Sequence, residues 1–314
     1  MAILRSTFIS LSQNQPLRRF SEASAAGRRV SSRFIAGMEI EEVLRATAAL
    51  HREGLRATLD SLGENVHTPE EAHRSAGIYH RLLDAIGERG AAGVDGEREE
   101  ANVSVKLTQM GMDLSPGLAE QIVAGLVEHA SRVGTFVRVD MEGSAYTQAT
   151  LDLVVRLHRQ FPGKVGVVIQ AYLRRSEADV AMLLHEGIRI RLCKGAYQEP
   201  AELAFPDKAE VDANYARLSG TLLASGIFHG LATHDPQMVT VIERLVQEQG
   251  IGKDSFEFQL LYGIRRDMQR ALRQKGYGVR IYVPFGHEWY PYFMRRLAER
   301  PANVLFLMKN FFRA

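Results

Sequence analysis

From residue 55 onward one hydrophobic pattern repeats along the chain. A run of about six apolar and β-branched residues is followed by a longer stretch in which apolar residues return every three or four positions. The runs are LRATLD, NVSVKL, TFVRVDME, KVGVVIQAY, IRIRLCKG, FHGLATH, FEFQLLYG and VRIYVPFG. Stretches such as PEEAHRSAGIYHRLLDAIGE, SPGLAEQIVAGLVEHASRV and SEADVAMLLHEG lie between them. Thr68 with Pro69, and Ser115 with Pro116, stand where a cap and the first helical residue belong. Gly187 and Gly226 stand where helices should stop before the next strand. Strands alternating with helices predict parallel βα units. Eight of them predict an α/β fold of the closed (βα)8, TIM-barrel type rather than an open doubly wound sheet. No G-x-G-x-x-G follows an early strand, which weighs against a dinucleotide-binding sheet.

The chain before the repeat reads differently. Residues 1–50 are expected to form a helical arm, and residues 51–314 the barrel. Within the arm, LRRFSEASAAGRRVSSRFIAG is basic, Ser-rich and poor in acids. Packing on the main domain is the simpler reading; a surface-seeking amphipathic segment and part of a transit peptide are the alternatives. The stretch ERGAAGVDGEREEAN reads as an exposed connection before the second strand. At 46% hydrophobic over 314 residues, the chain can fill one barrel-sized core. A net charge of +2 gives no global field for nucleic acid, and no aromatics interleave with the basic residues as base stacking needs. One cysteine, Cys193, excludes an internal disulfide and fits a reducing compartment. No apolar run resembles a membrane span or a secretory signal, so the expected location is cytoplasmic.

Barrels of this kind keep their chemistry at the C-terminal ends of the strands. There the sequence places Glu64 after strand one, Lys106 after strand two, and Asp140 with Glu142 after strand three. Gln170 and Tyr172 follow strand four; Arg191, Lys194 and Tyr197 follow strand five; Thr233, His234 and Asp235 follow strand six. Gln259 and Tyr262 end strand seven, and Tyr282 lies in strand eight. Lys106 and Asp140 sit inside strand patterns, so they either line a pocket or form a buried pair that closes the barrel top. Arg191 could be solvated between helices, His234 could be a core histidine, and Cys193 reads as a small buried hydrophobe. Metal binding is poorly supported: ATHD offers one histidine and one carboxylate, with no H-E-x-x-H and no paired cysteines. A nucleophilic serine elbow is missing too. The arginines and lysines therefore suit an anionic ligand or cofactor.

After strand eight, HEWYPYFMRRLAER can form a helix over the barrel mouth, with Pro291 confined to its first turn. One face presents Tyr292, Arg295, Arg296 and Glu299. Two adjacent guanidiniums repel unless an anion lies between them, and a small carboxylate would supply paired N–H···O bonds. Solvated helix arginines are the alternative.

LGEN, VKLT, VDMEG, RLCKGAY, ATHD, FEFQLLYG, RIYVPFG and YFMRRL occur in order from about residue 55 to 300, at strand ends throughout. In these stretches the chain resembles the proline dehydrogenase family, in its monofunctional bacterial form and as a domain of bifunctional proline-utilisation proteins. The pairing of Y-x-x-R-R with R-L-x-K-G-A-Y is the specific part. The resemblance implies a distorted (βα)8 barrel with extra N-terminal helices, noncovalent FAD at the strand ends, and oxidation of L-proline to Δ1-pyrroline-5-carboxylate with a membrane quinone as acceptor. It implies that Arg295, Arg296 and Lys106 hold the proline carboxylate, that Tyr282 and Tyr292 pack on its ring, that Asp140 braces the cluster and that Tyr197 shapes the wall. Arg191 would lie near the flavin N5, and Gln170 would bond the isoalloxazine. Lys194, Gly195, Ala196, Thr233 and His234 would serve the rest of the cofactor, and Glu64 would pair with Arg295 as a gate. A homo-oligomer and peripheral contact with the inner face of the cell membrane are compatible with this reading. HEWYP departs from the bifunctional pattern, which bears on lid and oligomer. The rival readings are a lysine Schiff-base aldolase on the same barrel, using Lys106 or Lys194, and a non-catalytic binding barrel.

Overall fold

The computed structural model describes residues 32–89, 100–197, 199–290, 292 and 294. Eight parallel strands close into a barrel in chain order: β1 (Arg56–Ser61), β2 (Ala101–Val105), β3 (Val137–Val139), β4 (Val165–Gln170), β5 (Arg189–Cys193), β6 (His229–Ala232), β7 (Phe256–Leu261) and β8 (Gly278–Phe285). Closure comes from β8 pairing with β1, with Thr58 opposite Tyr282 and Asp60 opposite Pro284. All eight expected runs are strands, and all but β1, which ends one residue beyond its run, stop short of the end of the apolar run. Lys106 and Asp140 are the first residues beyond β2 and β3.

Helix α1 (Ile40–Arg52) precedes β1. The crossover helices are α2 (Pro69–Glu88), α3 (Pro116–Arg132), α4 (Thr147–Gln160), α5 (Ser176–His185), α6 (Lys208–Ala224), α7 (Pro236–Glu248) and α8 (Arg266–Gln274). Their sequences explain their docking. In α2, Ala72, Ala76, Tyr79, Leu82, Leu83 and Ile86 recur at helical spacing and are all buried. Thr68 caps α2 as expected, accepting a bond from the Glu71 amide, with Pro69 behind it. Ser115 occupies the cap of α3, but its hydroxyl makes no capping bond. Gly187 and Gly226 adopt φ 74° and 73° beyond α5 and α6, the left-handed geometry in which a helix stops without a Cβ clash.

The slot between β8 and β1 is filled from the N-terminal side, because α1 packs against both strands. The chain after β8 turns over the mouth instead. Trp289, Tyr290, Tyr292 and Met294 are helical, and they form a separate apolar cluster with Phe34, Ile35 and Leu62. Leu62 follows the C-terminal end of β1, so the cluster sits at the end of the barrel where the charged residues gather. The expected helix over the mouth therefore begins as predicted. The charged connection around residue 95 and most of the expected N-terminal arm lie outside the described residues. No described helix is long and apolar enough to cross a membrane.

Candidate active site

Alternation along the strands sorts the side chains into two shells. Outward residues such as Leu59, Val103, Val139, Ile190, Phe258 and Ile281 are fully or almost fully buried against the helices. The inward positions carry Thr58, Asn102, Ser104, Arg191, Glu257, Gln259 and Arg280, all buried and polar. A barrel interior filled with charge is stable only if the charges are paired, and here they are.

The centre of the pairing is Asp140. Its Oδ1 accepts from Ser104 Oγ at 2.8 Å and from Arg191 Nη1 at 3.0 Å. Its Oδ2 accepts from the Tyr282 hydroxyl at 2.8 Å and from Lys106 Nζ at 3.2 Å. Lys106 also donates to Asp60 Oδ1 and to the Tyr282 oxygen, each at 3.2 Å. An ammonium has three protons, so these three bonds use its donors. Arg191 lies over the Tyr282 ring with its Cζ 5.2 Å from the centroid. Lys106 and Asp140 thus form a buried pair, but as members of a larger hub. Arg191 is 6% exposed and belongs to that hub, not to solvent.

The two carboxylates beside Lys106 are driven in opposite directions. Burial raises the pKa of Asp60 and outweighs the attraction of Lys106. Burial also opposes ionisation of Asp140, but Lys106, Arg191 and the bonds from Tyr282 and Ser104 outweigh it and hold its carboxyl below the usual range. Lys106 is penalised by burial, yet Asp60, Tyr282 and Asp140 raise its pKa well above that of a free lysine. Tyr282 is raised well above 10 by burial and by Asp140 and Asp60. The hub is therefore an anchored cation and anion with a protonated phenol between them.

The sequence reading passed over Asp60, which closes the run LRATLD and looks like an ordinary strand end. A charge at an inward position of an apolar strand was the available signal. Behind it, the Tyr79 hydroxyl donates toward Asp60 Oδ1 at 3.4 Å from helix α2. Glu64 is half-buried on the loop after β1, and its charge is felt by Lys106. Glu142 staples the loop after β2, accepting from the Thr108 amide at 3.1 Å and from its hydroxyl at 2.6 Å.

A second polar group lies over β4 to β6. Gln170 donates from Nε2 to the Met141 carbonyl at 3.1 Å, while its buried Oε1 has no partner among the described residues. Arg191 uses Nε and Nη1 within the barrel, and its Nη2 makes no bond among the described residues. Lys194 Nζ is held by Asp212 at 2.5 Å and by Asp235 at 2.8 Å, a pair of carboxylates the sequence reading did not link to it. Gly195 (φ 113°) lies flat on Tyr172, where a Cβ would come within 2.2 Å of the ring. Ala196 and Tyr197 follow, both exposed. Thr233 Oγ1 accepts from the Asp235 amide at 3.1 Å, and His234 Nε2 accepts from the Leu261 amide at 2.9 Å, tying β6 to β7. His234 thus performs a structural bond at the strand ends. Tyr292 is 7% exposed within the aromatic cluster at the mouth. Arg295 and Arg296, the expected carboxylate clamp, lie outside the described residues.

The closed parallel barrel with a charged hub at its C-terminal mouth defines the class: a (βα)8 barrel with its site at the strand ends. The chain belongs to the proline dehydrogenase family, which its residues 43–309 match. It is 39% identical over 309 residues to proline dehydrogenase 1 of Bacillus subtilis (strain 168), covering 98% of this chain and 99% of that one. It is 41% identical over 289 residues to the proline dehydrogenase of Deinococcus radiodurans, covering 90% and 89%. Among solved structures it resembles proline utilization A from Bdellovibrio bacteriovorus inactivated by N-propargylglycine, with TM-score 0.82 and 27% identity. That match covers 91% of this chain and 34% of the longer protein.

Proposed function

We propose that this protein oxidises L-proline to Δ1-pyrroline-5-carboxylate with noncovalently bound FAD, the electrons passing on to a quinone. The observation that carries the reading is the Asp140 hub after β3, which gathers Lys106 from the end of β2, Arg191 from β5 and Tyr282 from β8 at the barrel mouth. The quinone rests on family membership alone.

The residues present fit a flavin. Among the described residues Gln170 Oε1 is a buried acceptor without a partner and Arg191 Nη2 a donor without one, on neighbouring strands. A flavin edge alternates donors and acceptors and would satisfy both. Gln170 and Arg191 would hold the ring, and Lys194, Gly195, Ala196, Thr233 and His234 would hold the remainder. When bound, FAD supplies the hydride acceptor.

The chain's own work is positioning and charge. Lys106 is a fixed cation, but its N–H bonds are used inside the barrel. It would therefore attract the proline carboxylate mainly by its field, and direct bonds would fall to Arg295 and Arg296. The Tyr282 ring, held by its hydroxyl on Asp140, forms a wall for the pyrrolidine ring. As the C5–H bond breaks with its electron pair, the nitrogen lone pair forms C=N, so the amine must first lose its extra proton. Lys106 and Arg191 disfavour a second cation beside them, which favours the neutral amine, and the proton goes to water. Asp140 keeps those two cations in place. Glu64 would close the site by pairing with Arg295.

The Schiff-base alternative needs a neutral lysine. Lys106 is bonded to two carboxylates and a phenol with its pKa raised, the reverse of an activated amine.

The test is the absorbance spectrum of the purified protein under anaerobic conditions. L-proline is expected to bleach a yellow flavin, and acid precipitation to leave the colour in the supernatant as FAD. Pyrrolidine, lacking the carboxylate, is expected to reduce it about tenfold or more less efficiently, since each lost charged hydrogen bond is worth roughly 1.5–3 kcal/mol. A colourless protein that takes up no FAD would overturn the flavin reading. Equal rates for the two amines would overturn recognition of the carboxylate.

A further inference from the structure

Beneath the hub, a line of buried polar side chains runs down the inside of the barrel. Arg191 Nε donates to Gln259 Oε1 at 2.5 Å, and Gln259 Nε2 donates to Glu257 Oε1 at 2.7 Å. Glu257 Oε1 also accepts from Arg280 Nε at 2.6 Å, and Arg280 Nη1 donates to the Ala57 carbonyl at 2.9 Å. Arg191, Gln259, Glu257 and Arg280 are each no more than 6% exposed. Gln259 ends in an amide whose two ends face opposite demands. A guanidinium can only donate and a carboxylate can only accept, so the amide has one orientation. The amide lies close over the neighbouring strand β6: a Cβ on Gly230 would fall 2.2 Å from Gln259 Nε2.

We infer that Gln259 is a positioning residue that fixes the plane of the Arg191 guanidinium from below, so that Nη2, the end with no bond among the described residues, is presented at the strand-end face. Asp140 and Ser104 hold Nη1, Gln259 holds Nε, and Tyr282 covers one face. Three attachments determine a plane, and only the one through Gln259 is anchored to a charge pair deep in the barrel. Asp140 and Ser104 alone would allow the guanidinium to pivot about Nη1. The inference rests on the proposed flavin site, toward which Nη2 would point. A cation held beside the ring favours its reduced, more negative form, so loosening Arg191 is expected to make the midpoint potential more negative.

The variants are Gln259→Met, which keeps the volume and removes both bonds, and Gln259→Glu, which keeps an acceptor for Arg191 Nε. Gln259→Met is expected to retain FAD while its potential falls and its flavin reduction by proline at saturation slows about tenfold, roughly the worth of one hydrogen bond to a charged group. Gln259→Glu is expected to stay nearer the wild type in both. A packing role would give the reverse order, since Met fills the space without adding charge beside Glu257. Gly230→Ala, which crowds the amide without changing any bonding group, is the second variant and is expected to shift the potential in the same direction. A cofactor-independent readout is the Arg191 Nε–H resonance in protein carrying 15N-arginine. It is expected to exchange slowly in the wild type and fast in Gln259→Met. Wild-type exchange and potential in Gln259→Met, or in Gly230→Ala if the first variant does not fold, overturn the inference. A protein that binds no flavin while the exchange difference persists overturns the proposed function and leaves the positioning role standing.

Discussion

The two faces of the same eight strands obey opposite rules. Outward, Leu59, Val103, Val139, Phe258 and Ile281 meet the helices through apolar contact alone, and Phe258 lies edge-on to both Phe256 and Tyr277. Inward, Asp60, Lys106, Asp140, Arg191, Gln259, Glu257 and Arg280 form a continuous polar network. Apolar contact is tolerant in direction and scales with area, so the outer face holds the barrel together. Hydrogen bonds between buried charges are directional and costly to leave unmade, so the inner face fixes where each cation points. Substitutions should separate the two: outer changes should alter stability without altering activity per folded molecule, and inner changes should alter both.

The largest effect is expected outside. Phe258→Ala should lower unfolding free energy by about 3–5 kcal/mol, read as a lower urea midpoint. Proline-driven activity per folded molecule should stay at the wild-type level; a matching loss of activity would erase the distinction. Inside, Tyr282→Phe removes one hydroxyl that donates to Asp140 and accepts from Lys106. It should cost about 1–3 kcal/mol of stability, and the reduction rate per folded molecule should fall about tenfold or more. A stability loss with an unchanged rate would make the inner network structural only.

Acid sharpens the comparison at one seam. His229 faces outward at the base of β6, where its Nδ1 accepts from the Ile190 amide at 3.0 Å and its Nε2 meets Ser225 Oγ at 3.0 Å. Burial, with Arg138 and Arg189 nearby, pushes its pKa down to about 3. The folded state therefore refuses a proton that the unfolded chain accepts near 6.5. This contribution is complete above about pH 6.5 and is lost as pH falls toward about 3, by up to about 1.4 kcal/mol per unit. Urea midpoints of wild type and His229→Gln between pH 7 and 4 should converge as the wild type loses its advantage; parallel curves would refute the assignment. The smallest effect belongs to the surface. The exposed Arg156–Glu120 pair, at 2.7 Å, should be worth under about 1 kcal/mol, so Glu120→Gln should barely move the midpoint.

Legibility follows the same division. The outer shell was readable because alternation and β-branching are local, and every expected run became a strand. Lys106, Asp140 and Arg191 were readable because a charge in an apolar strand is conspicuous. Asp60 was not, since it ends its run as a turn-forming residue would. Glu257 and Arg280 lie within FEFQLLYG and VRIYVPFG, where nothing local says whom they face. Gln259 was placed at a strand end without its part in holding Arg191. Lys194 was expected at a cofactor, and only the arrangement of α6 and α7 brings Asp212 and Asp235 to it.

By itself, the sequence determined that eight strand segments alternate with helical ones and that charged and polar residues gather at the C-terminal ends of those strands. These are properties of a few consecutive residues. Tertiary structure alone decided the partners. Lys106 and Tyr282 are 176 positions apart and meet at 3.2 Å because β8 pairs with β1 and closes the sheet. The register of that closure sets the height of every inward side chain relative to those on the other strands. A one-residue slip would turn each of them outward, which is why the pairing of buried charges depends on the closed barrel and is written in no single segment of the chain.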